Sequence, residues 1–530
     1  MLNPIYLFGG SPRVNLPAPM QSEAALLTHL GMSSAELKKI WWYRGGMYAS
    51  FSVSKKGGKK RQILAPNYRL KMIQRKVADL LSLIYSPRKS VHGFVSDRSV
   101  KSNAESHVKS RYVVNIDLRG FFPAITESRI AHLFRAMRVD PRVSDIIARI
   151  CCVGGQLPQG SPSSPVISNM ICFRMDKELQ SLAKEFRCIY TRYADDITFS
   201  SFQPPSGLFE SGLPSPGKFN PDLLCRKIRA TFTHNGFEVN PDKTHYADRN
   251  SRRVVTGVRV NQFLNVDRRY VRNIRATLFR VERDGAAKVQ AALLSEYGRK
   301  ANIALHLHGK ISWIGHIKGQ SDPVFRSLAL RFNKVFPGSE VKVRPTDSEI
   351  QDRSVWIVEH EHGDWFQGTA FFLKSVGLVT AWHCVSDAEK FEVEIFHSAK
   401  PANRFKATVK KYCDARDLAI LTCSIPETEY FEMIPLEGAL ADGDQVLALG
   451  YPSYGVGDKL NIRPGTVTSL PVKHAVQMIE TSQKLTQGMS GGPVVNSAGQ
   501  VCGVIHKGGP GEGRDFAIHI SALNEWLATP

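Results

Sequence analysis

The chain reverses its charge about two thirds of the way along. Residues 1–345 hold 55 Lys and Arg against 25 Asp and Glu, whereas residues 346–530 hold 15 against 23. The 530 residues also exceed the roughly 250–300 at which one hydrophobic core stops growing. At least two folding units are therefore expected, a strongly basic one followed by a mildly acidic one. The basic unit needs either heavy solvation or a polyanionic partner. Nucleic acid fits best, because Lys and Arg that neutralise phosphates release condensed counterions.

The pattern breaks at Pro337-Gly338 and again at Pro345. This places a domain over 1–340, a linker over 341–353 and a second domain over 354–530. Nine cysteines without a CxxC pair read as reduced thiols. The N-terminus lacks signal-peptide features, and no apolar run approaches the roughly 20 residues that span a bilayer. A soluble cytoplasmic protein with no membrane partner is expected. Apolar residues at helical spacing over 22–43 predict a helical cap, and Lys55-Lys56-Gly57-Gly58-Lys59-Lys60-Arg61 predicts a turn between strands. The Pro-, Gly- and Ser-rich stretch 203–221 predicts an exposed loop, and 267–336 predicts helices dense in Arg and Lys.

Two strand-like runs carry acids that an apolar strand should avoid. Arg111-Tyr112-Val113-Val114-Asn115-Ile116-Asp117 ends in one carboxylate, and Tyr193-Ala194-Asp195-Asp196 carries two inside a β-branched and aromatic run. Carboxylates buried there cost several kcal/mol unless paired, hydrogen-bonded or bound to metal. Asp117, Asp195 and Asp196 together suit two divalent ions in phosphoryl-transfer chemistry, with Mg²⁺ the expected ion.

The order of the flanking motifs resembles that of reverse transcriptases. Tyr193-Ala194-Asp195-Asp196 is similar to that family's catalytic hairpin, and Asp117-Leu118-Arg119-Gly120-Phe121-Phe122 to its first acidic strand and turn. Leu157-Pro158-Gln159-Gly160-Ser161-Pro162 lies between them, and Gly236-Phe237-Glu238-Val239-Asn240-Pro241-Asp242-Lys243-Thr244 follows. The resemblance implies that Phe122 selects dNTPs by blocking a ribose 2′-OH and that Gln159 lines the nucleotide pocket. It also implies that Arg61 binds triphosphate and Lys243 assists the departing pyrophosphate. Asn103-Ala104-Glu105-Ser106-His107 and Val255-Thr256-Gly257 resemble the NAxxH and VTG signatures of bacterial retron reverse transcriptases. That group implies a structured noncoding RNA as template and primer, a branched RNA-linked DNA product, and RNA-binding or fold-organising roles for Asn103 and His107.

In the second domain, Gly488-Met489-Ser490-Gly491-Gly492-Pro493 sets a serine among glycines, where backbone N–H groups can surround an oxyanion. Val379-Thr380-Ala381-Trp382-His383-Cys384 supplies a base, and Asp417 before Leu418-Ala419-Ile420-Leu421 an orienting carboxylate, with Asp414 as its rival. These segments resemble the triad of trypsin-like proteases. The resemblance implies His383, Asp417 and Ser490 as catalytic residues and an oxyanion hole from the Gly488 and Ser490 N–H groups. Lys484 falls near the expected specificity pocket, at its base or its rim.

The expected architecture is multidomain: an α+β right-hand polymerase with fingers, palm and thumb, followed by an all-β chymotrypsin-like double barrel. Its partners would be the RNA, its DNA product, dNTPs and an unidentified protein substrate, with self-association left open. Rival readings remain: an intron-like reverse transcriptase without branched priming, a nonsynthetic RNA scaffold, and a protease domain retained as an inactive binding module.

Overall fold

Period-two alternation builds the sheet that carries the acidic strands. In the computed structural model, which describes residues 16–54, 60–297, 302–362, 364–506 and 514–529, strands β1 (Tyr48–Ser54) and β2 (Lys60–Pro66) form an antiparallel ribbon. The core of the basic turn expected between them, 55–59, lies outside the described residues. Strands β3 (Tyr112–Asp117), β4 (Ile189–Tyr193), β5 (Asp196–Ser201), β6 (Gly217–Lys218) and β7 (His245–Ala247) make one antiparallel sheet in the order β4-β5-β3-β7-β6. A short hairpin follows, β8 (Val254–Val255) and β9 (Val258–Arg259).

Val114 and Ile116 on β3, with Ile197 and Phe199 on β5, join one core with the helices Glu127–Ala136, Pro141–Cys151, Ser164–Ile171 and Phe173–Glu185. The intervening residues, Asn115 and Asp117 on β3 and Asp196 and Thr198 on β5, alternate to the other face. Asp117 and Asp196 are directly paired in register. A second core gathers Ile274, Leu278, Ile311, Ile314, Phe325 and Phe332 from the helices Arg268–Asp284, Ile303–Lys318 and Pro323–Val335.

Two expectations are corrected. The stretch 203–221 is not simply an exposed loop: Leu208, Phe209 and Phe219 are buried, Phe209 packs edge-on against Phe219 and Tyr246, and β6 pairs with β7. Those three apolar side chains outweigh the turn residues around them. The supposed linker 341–353 is also mostly structured. Val341 is buried and exchanges two hydrogen bonds with the Asn333 side chain, so the first unit runs through Val343. The helix Asp347–Ser354, started by a reciprocal Thr346–Glu349 capping box, packs Ile350 into the core of the second unit, which begins at Arg344.

The second unit consists mainly of strands. Strands β10 (Val355–His362), β11 (Asp364–Leu373), β12 (Gly377–Ala381), β13 (Glu392–Phe396), β14 (Phe405–Cys413) and β15 (Leu418–Cys423) close into a barrel in the order β10-β11-β12-β15-β14-β13. The others are β16 (Gln445–Gly450), β17 (Asn461–Ser469), β18 (Val472–Lys473), β19 (Val476–Thr481), β20 (Pro493–Asn496), β21 (Val501–Ile505) and β22 (Asp515–His519). Their order is β17-β16-β20-β21-β22-β19-β18, and β19 pairs back to β17, so six of them close a second barrel. Closure leaves neither barrel an open edge in its ring. The helix Ile520–Ala528 buries Leu523 and Trp526.

Candidate active sites

The β4–β5 hairpin turns at Ala194-Asp195, with Ala194 at φ +56°. The turn is held from below. Arg192 is fully buried and donates from Nε and Nη2 to the two Asp176 oxygens at 2.7 and 2.8 Å, while its Nη1 reaches the Ala194 carbonyl at 3.2 Å. Tyr190 Oη donates to the same carboxylate at 2.6 Å. Gly93 lies against the turn so closely that a Cβ there would sit 2.4 Å from Ala194 N. Asp176→Ala would leave the Arg192 cation buried and unpaired. Its expected cost is about 3–5 kcal/mol, read as a lower urea midpoint.

Asp117 ends β3 with both oxygens engaged, Oδ2 by Lys243 Nζ at 2.6 Å and Oδ1 by Asn240 Nδ2 at 2.8 Å. Asp195 is half-buried and Asp196 more open. Burial and the Asp117 charge push the Asp195 carboxyl up. Burial on its protein side, with the Asp195 and Asp117 charges, pushes Asp196 up to about 7, against the opposing charges of Lys243 and Arg61. Arg61 on β2 is exposed and acts on both aspartates. Phe122 is half-buried beside Phe94 and Phe121, and Gln159 lends its carbonyl to Leu64 N at 2.9 Å.

Three hard carboxylates that repel one another suit Mg²⁺, and Asp117, Asp195 and Asp196 are the residues that would hold it. Bound there, it would supply Lewis-acid stabilisation of phosphoryl oxygens. Their oxygens do not lie within 4.8 Å of one another as a set, and Lys243 pairs with Asp117 at 2.6 Å.

The folded-state pKa of Asp196 lies above its ordinary 3.8. Its contribution to stability is therefore present below pH 4 and lost as pH rises through about 7. A divalent ion removes the repulsion that develops over that range. The gain in melting temperature on adding Mg²⁺ is expected to be larger at pH 8 than at pH 6, and equal gains would contradict this.

In the second unit His383 follows β12, and Asp417 sits in the left-handed turn before β15, at φ +51°. Asp417 Oδ1 accepts from His383 N at 2.8 Å and Oδ2 from His383 Nδ1 at 2.7 Å. Asp414 only closes the preceding turn through its carbonyl. Burial pushes the Asp417 carboxyl up, but the hydrogen bonds from His383 and His506 outweigh this and hold it well below the usual carboxylate range. Burial likewise opposes charging of His383, and the bonds to Asp417 and Cys384 overcome it, raising the imidazole.

Ser490 is seated by its carbonyl, which accepts from Thr369 N at 2.9 Å and Cys384 Sγ at 3.5 Å. Its Oγ makes no hydrogen bond to His383, a looseness that free enzymes often show before substrate binds. Gly488 has φ +89°, and a Cβ there would meet Tyr451 O at 2.4 Å. The Gln487 carbonyl accepts from Ser453 N, so the trans peptide turns the Gly488 N–H the opposite way. Neither Gly488 N nor Ser490 N donates to another backbone group among the described residues, leaving both N–H groups for an oxyanion. Lys484 is exposed, which fits the rim and not the base of a pocket.

Residues 53–260 match the reverse transcriptase (RNA-dependent DNA polymerase) family, and residues 368–504 the trypsin-like peptidase domain. Retron Ec86 reverse transcriptase of Escherichia coli is 30% identical over 272 residues, covering 50% of this chain and 80% of that protein. The chain belongs to the retron reverse transcriptases. Retron Mx162 reverse transcriptase of Myxococcus xanthus is 31% identical over 297 residues, which span 50% of this chain but only 60% of that protein. Among solved structures, the active form of Rv3671c protease from M. tuberculosis is 22% identical, with 34% of this chain and 82% of that chain covered at a TM-score of 0.29. For the serine endoprotease from Yersinia pestis the values are 22%, 35%, 66% and 0.29. This retron reverse transcriptase thus carries a trypsin-like peptidase domain of two six-stranded barrels behind its polymerase domain. No described helix is long and apolar enough to cross a membrane.

The two retron signatures meet. Asn103 Nδ2 donates to Thr256 Oγ1 at 3.3 Å, joining Asn103-Ala104-Glu105-Ser106-His107 to Val255-Thr256-Gly257 beside a groove of about 510 Å³ that includes Asp196 and Lys243. The expected RNA contact of His107 is corrected. His107 is fully buried, with Nδ1 and Nε2 each 2.7 Å from the hydroxyls of Ser200 and Thr191, and Asn103 is 1% exposed. Both organise the palm from inside, and no surface remains for direct contact. Sequence reasoning missed Arg192, Asp176, Asn240 and His506. Arg192 inside the Tyr193 strand was the available signal, since a cation at a buried strand position demands a buried partner.

Proposed function

We propose that this retron reverse transcriptase copies its own structured noncoding RNA into a branched, RNA-linked single-stranded DNA. In this account, synthesis starts from a 2′-OH in that RNA. The trypsin-like domain is a serine endopeptidase serving as effector of a cytoplasmic antiphage defence system. The observation that carries the polymerase part is the register pairing of Asp117 with Asp196 at the mouth of the Ala194-Asp195 turn, beside the joined Asn103 and Thr256 signatures. Asp117, Asp195 and Asp196 would hold two Mg²⁺ ions, which would supply Lewis-acid stabilisation at the attacking and leaving oxygens. Phe122 screens the sugar, Gln159 lines the nucleotide pocket, Arg61 holds the triphosphate and Lys243 serves the departing pyrophosphate. The basic first unit grips folded RNA by phosphate and shape.

The peptidase part rests on the short His383–Asp417 bond and the unpaired N–H groups around Ser490. A polymerase and a peptidase share no chemistry, so their fusion points to regulation: the bound RNA–DNA product holds the peptidase silent until an invader disturbs it. Fluorophosphonate labelling and growth arrest are compared in cells carrying the native locus, wild type against Asp195→Asn. Loss of the DNA product should change both, and identical labelling and growth under all conditions would rule out the coupling.

A further inference from the structure

Asp417 holds two imidazoles, and a triad accounts for only one of them. Its Oδ2 accepts from His506 Nδ1 at 2.6 Å as well as from His383 Nδ1 at 2.7 Å. The two rings meet edge to face with centroids 6.0 Å apart. Their three polar atoms lie within 4.8 Å of one another, a closeness that two hydrogen bonds to one oxygen explain without an ion.

The backbone makes this arrangement specific. His506 follows β21, where Ile505 N donates to Gly492 O at 2.7 Å and Ile505 O accepts from Gly491 N at 2.9 Å, stitching the strand end to the turn that carries Ser490. His506 N donates to Phe516 O on β22 at 3.1 Å. One short segment therefore touches both the nucleophile's turn and the triad carboxylate.

We propose that His506 is a positioning residue of the peptidase site, fixing Asp417 against His383. This rests on the reading of the second unit as a serine hydrolase. A carboxylate only accepts, so both Nδ1 atoms carry hydrogen and neutral His506 keeps its lone pair on Nε2.

The charged groups on the surrounding elements have partners of their own. On β22 and just before it, Asp515 accepts from Leu485 N and Arg514 pairs with Glu480, while Glu525 of the last helix lies near Arg416. β12 and β20 carry no charged residue. Among the described residues, Asp417 and His383 are the titratable groups in direct contact with His506.

The test is the second-order rate of fluorophosphonate labelling at Ser490 in the full chain at pH 8, with Ser490→Ala as background. His506→Asn keeps a donor near the Nδ1 position; it should retain the pH 8 rate within about threefold. His506→Ala should lose roughly tenfold or more at pH 8, a loss that His506→Asn does not share. An alanine variant matching wild type in rate overturns the proposal, as does an asparagine variant no better than alanine. If no protein labels above background, the hydrolase reading fails by itself. Histidine-selective ¹⁵N spectra then decide separately whether His506 engages Asp417: an Nδ1–H tautomer supports the contact, and an Nε2–H tautomer overturns it.

Discussion

Asp195→Asn is expected to lower Mg²⁺-dependent dNTP incorporation by on the order of 10³-fold or more, since a metal at such a site supplies several kcal/mol of transition-state stabilisation. The fold should survive the change. Asparagine has the same shape, the Asp195 carbonyl still accepts from Leu118 N, and the carboxyl that is lost is one whose charge burial and Asp117 already disfavour. Unfolding temperature without metal should therefore stay level or rise while primer extension collapses. A variant that loses activity and stability together would place Asp195 in the scaffold instead of the chemistry.

The second large effect concerns the peptidase. His383→Ala and Ser490→Ala are each expected to lower hydrolysis by on the order of 10⁶-fold, with the double variant little worse, because triad members act as one unit. Ser490 is seated through its carbonyl, so removal of its Oγ leaves Thr369 and Cys384 bonded as before and the barrels intact. Additive losses, or near-wild-type turnover in Ser490→Ala, would contradict a serine mechanism.

The catalytic candidates were legible in the sequence because each is an anomaly in place: carboxylates inside apolar strands, or a serine among glycines. Their order along the chain carried the resemblance, and the structure sets Asp117 opposite Asp196 and His383 onto Asp417. What could not be read are contacts between remote segments. Asp176 looks like an ordinary acid on an amphipathic helix until Arg192 arrives from β4. His506 is a lone histidine after an apolar strand until the second barrel closes and carries it to Asp417, 89 residues away. His107 was misjudged for the opposite reason: a polar residue in a family signature suggests an exposed contact, whereas Ser200 and Thr191 satisfy both its nitrogens inside the palm. Within 203–221, three aromatic and aliphatic side chains decided burial against a composition that favoured a loop.

The central claim is that this polymerase domain makes a branched RNA–DNA molecule from one RNA of its own. The most direct measurement is to purify the chain from a host carrying the native flanking DNA, sequence the bound nucleic acid and treat it with debranching enzyme. A single RNA–DNA species that changes mobility on debranching, and that is absent from the Asp195→Asn preparation, is the predicted result. A heterogeneous RNA population, or complementary DNA that debranching leaves unchanged, would contradict it.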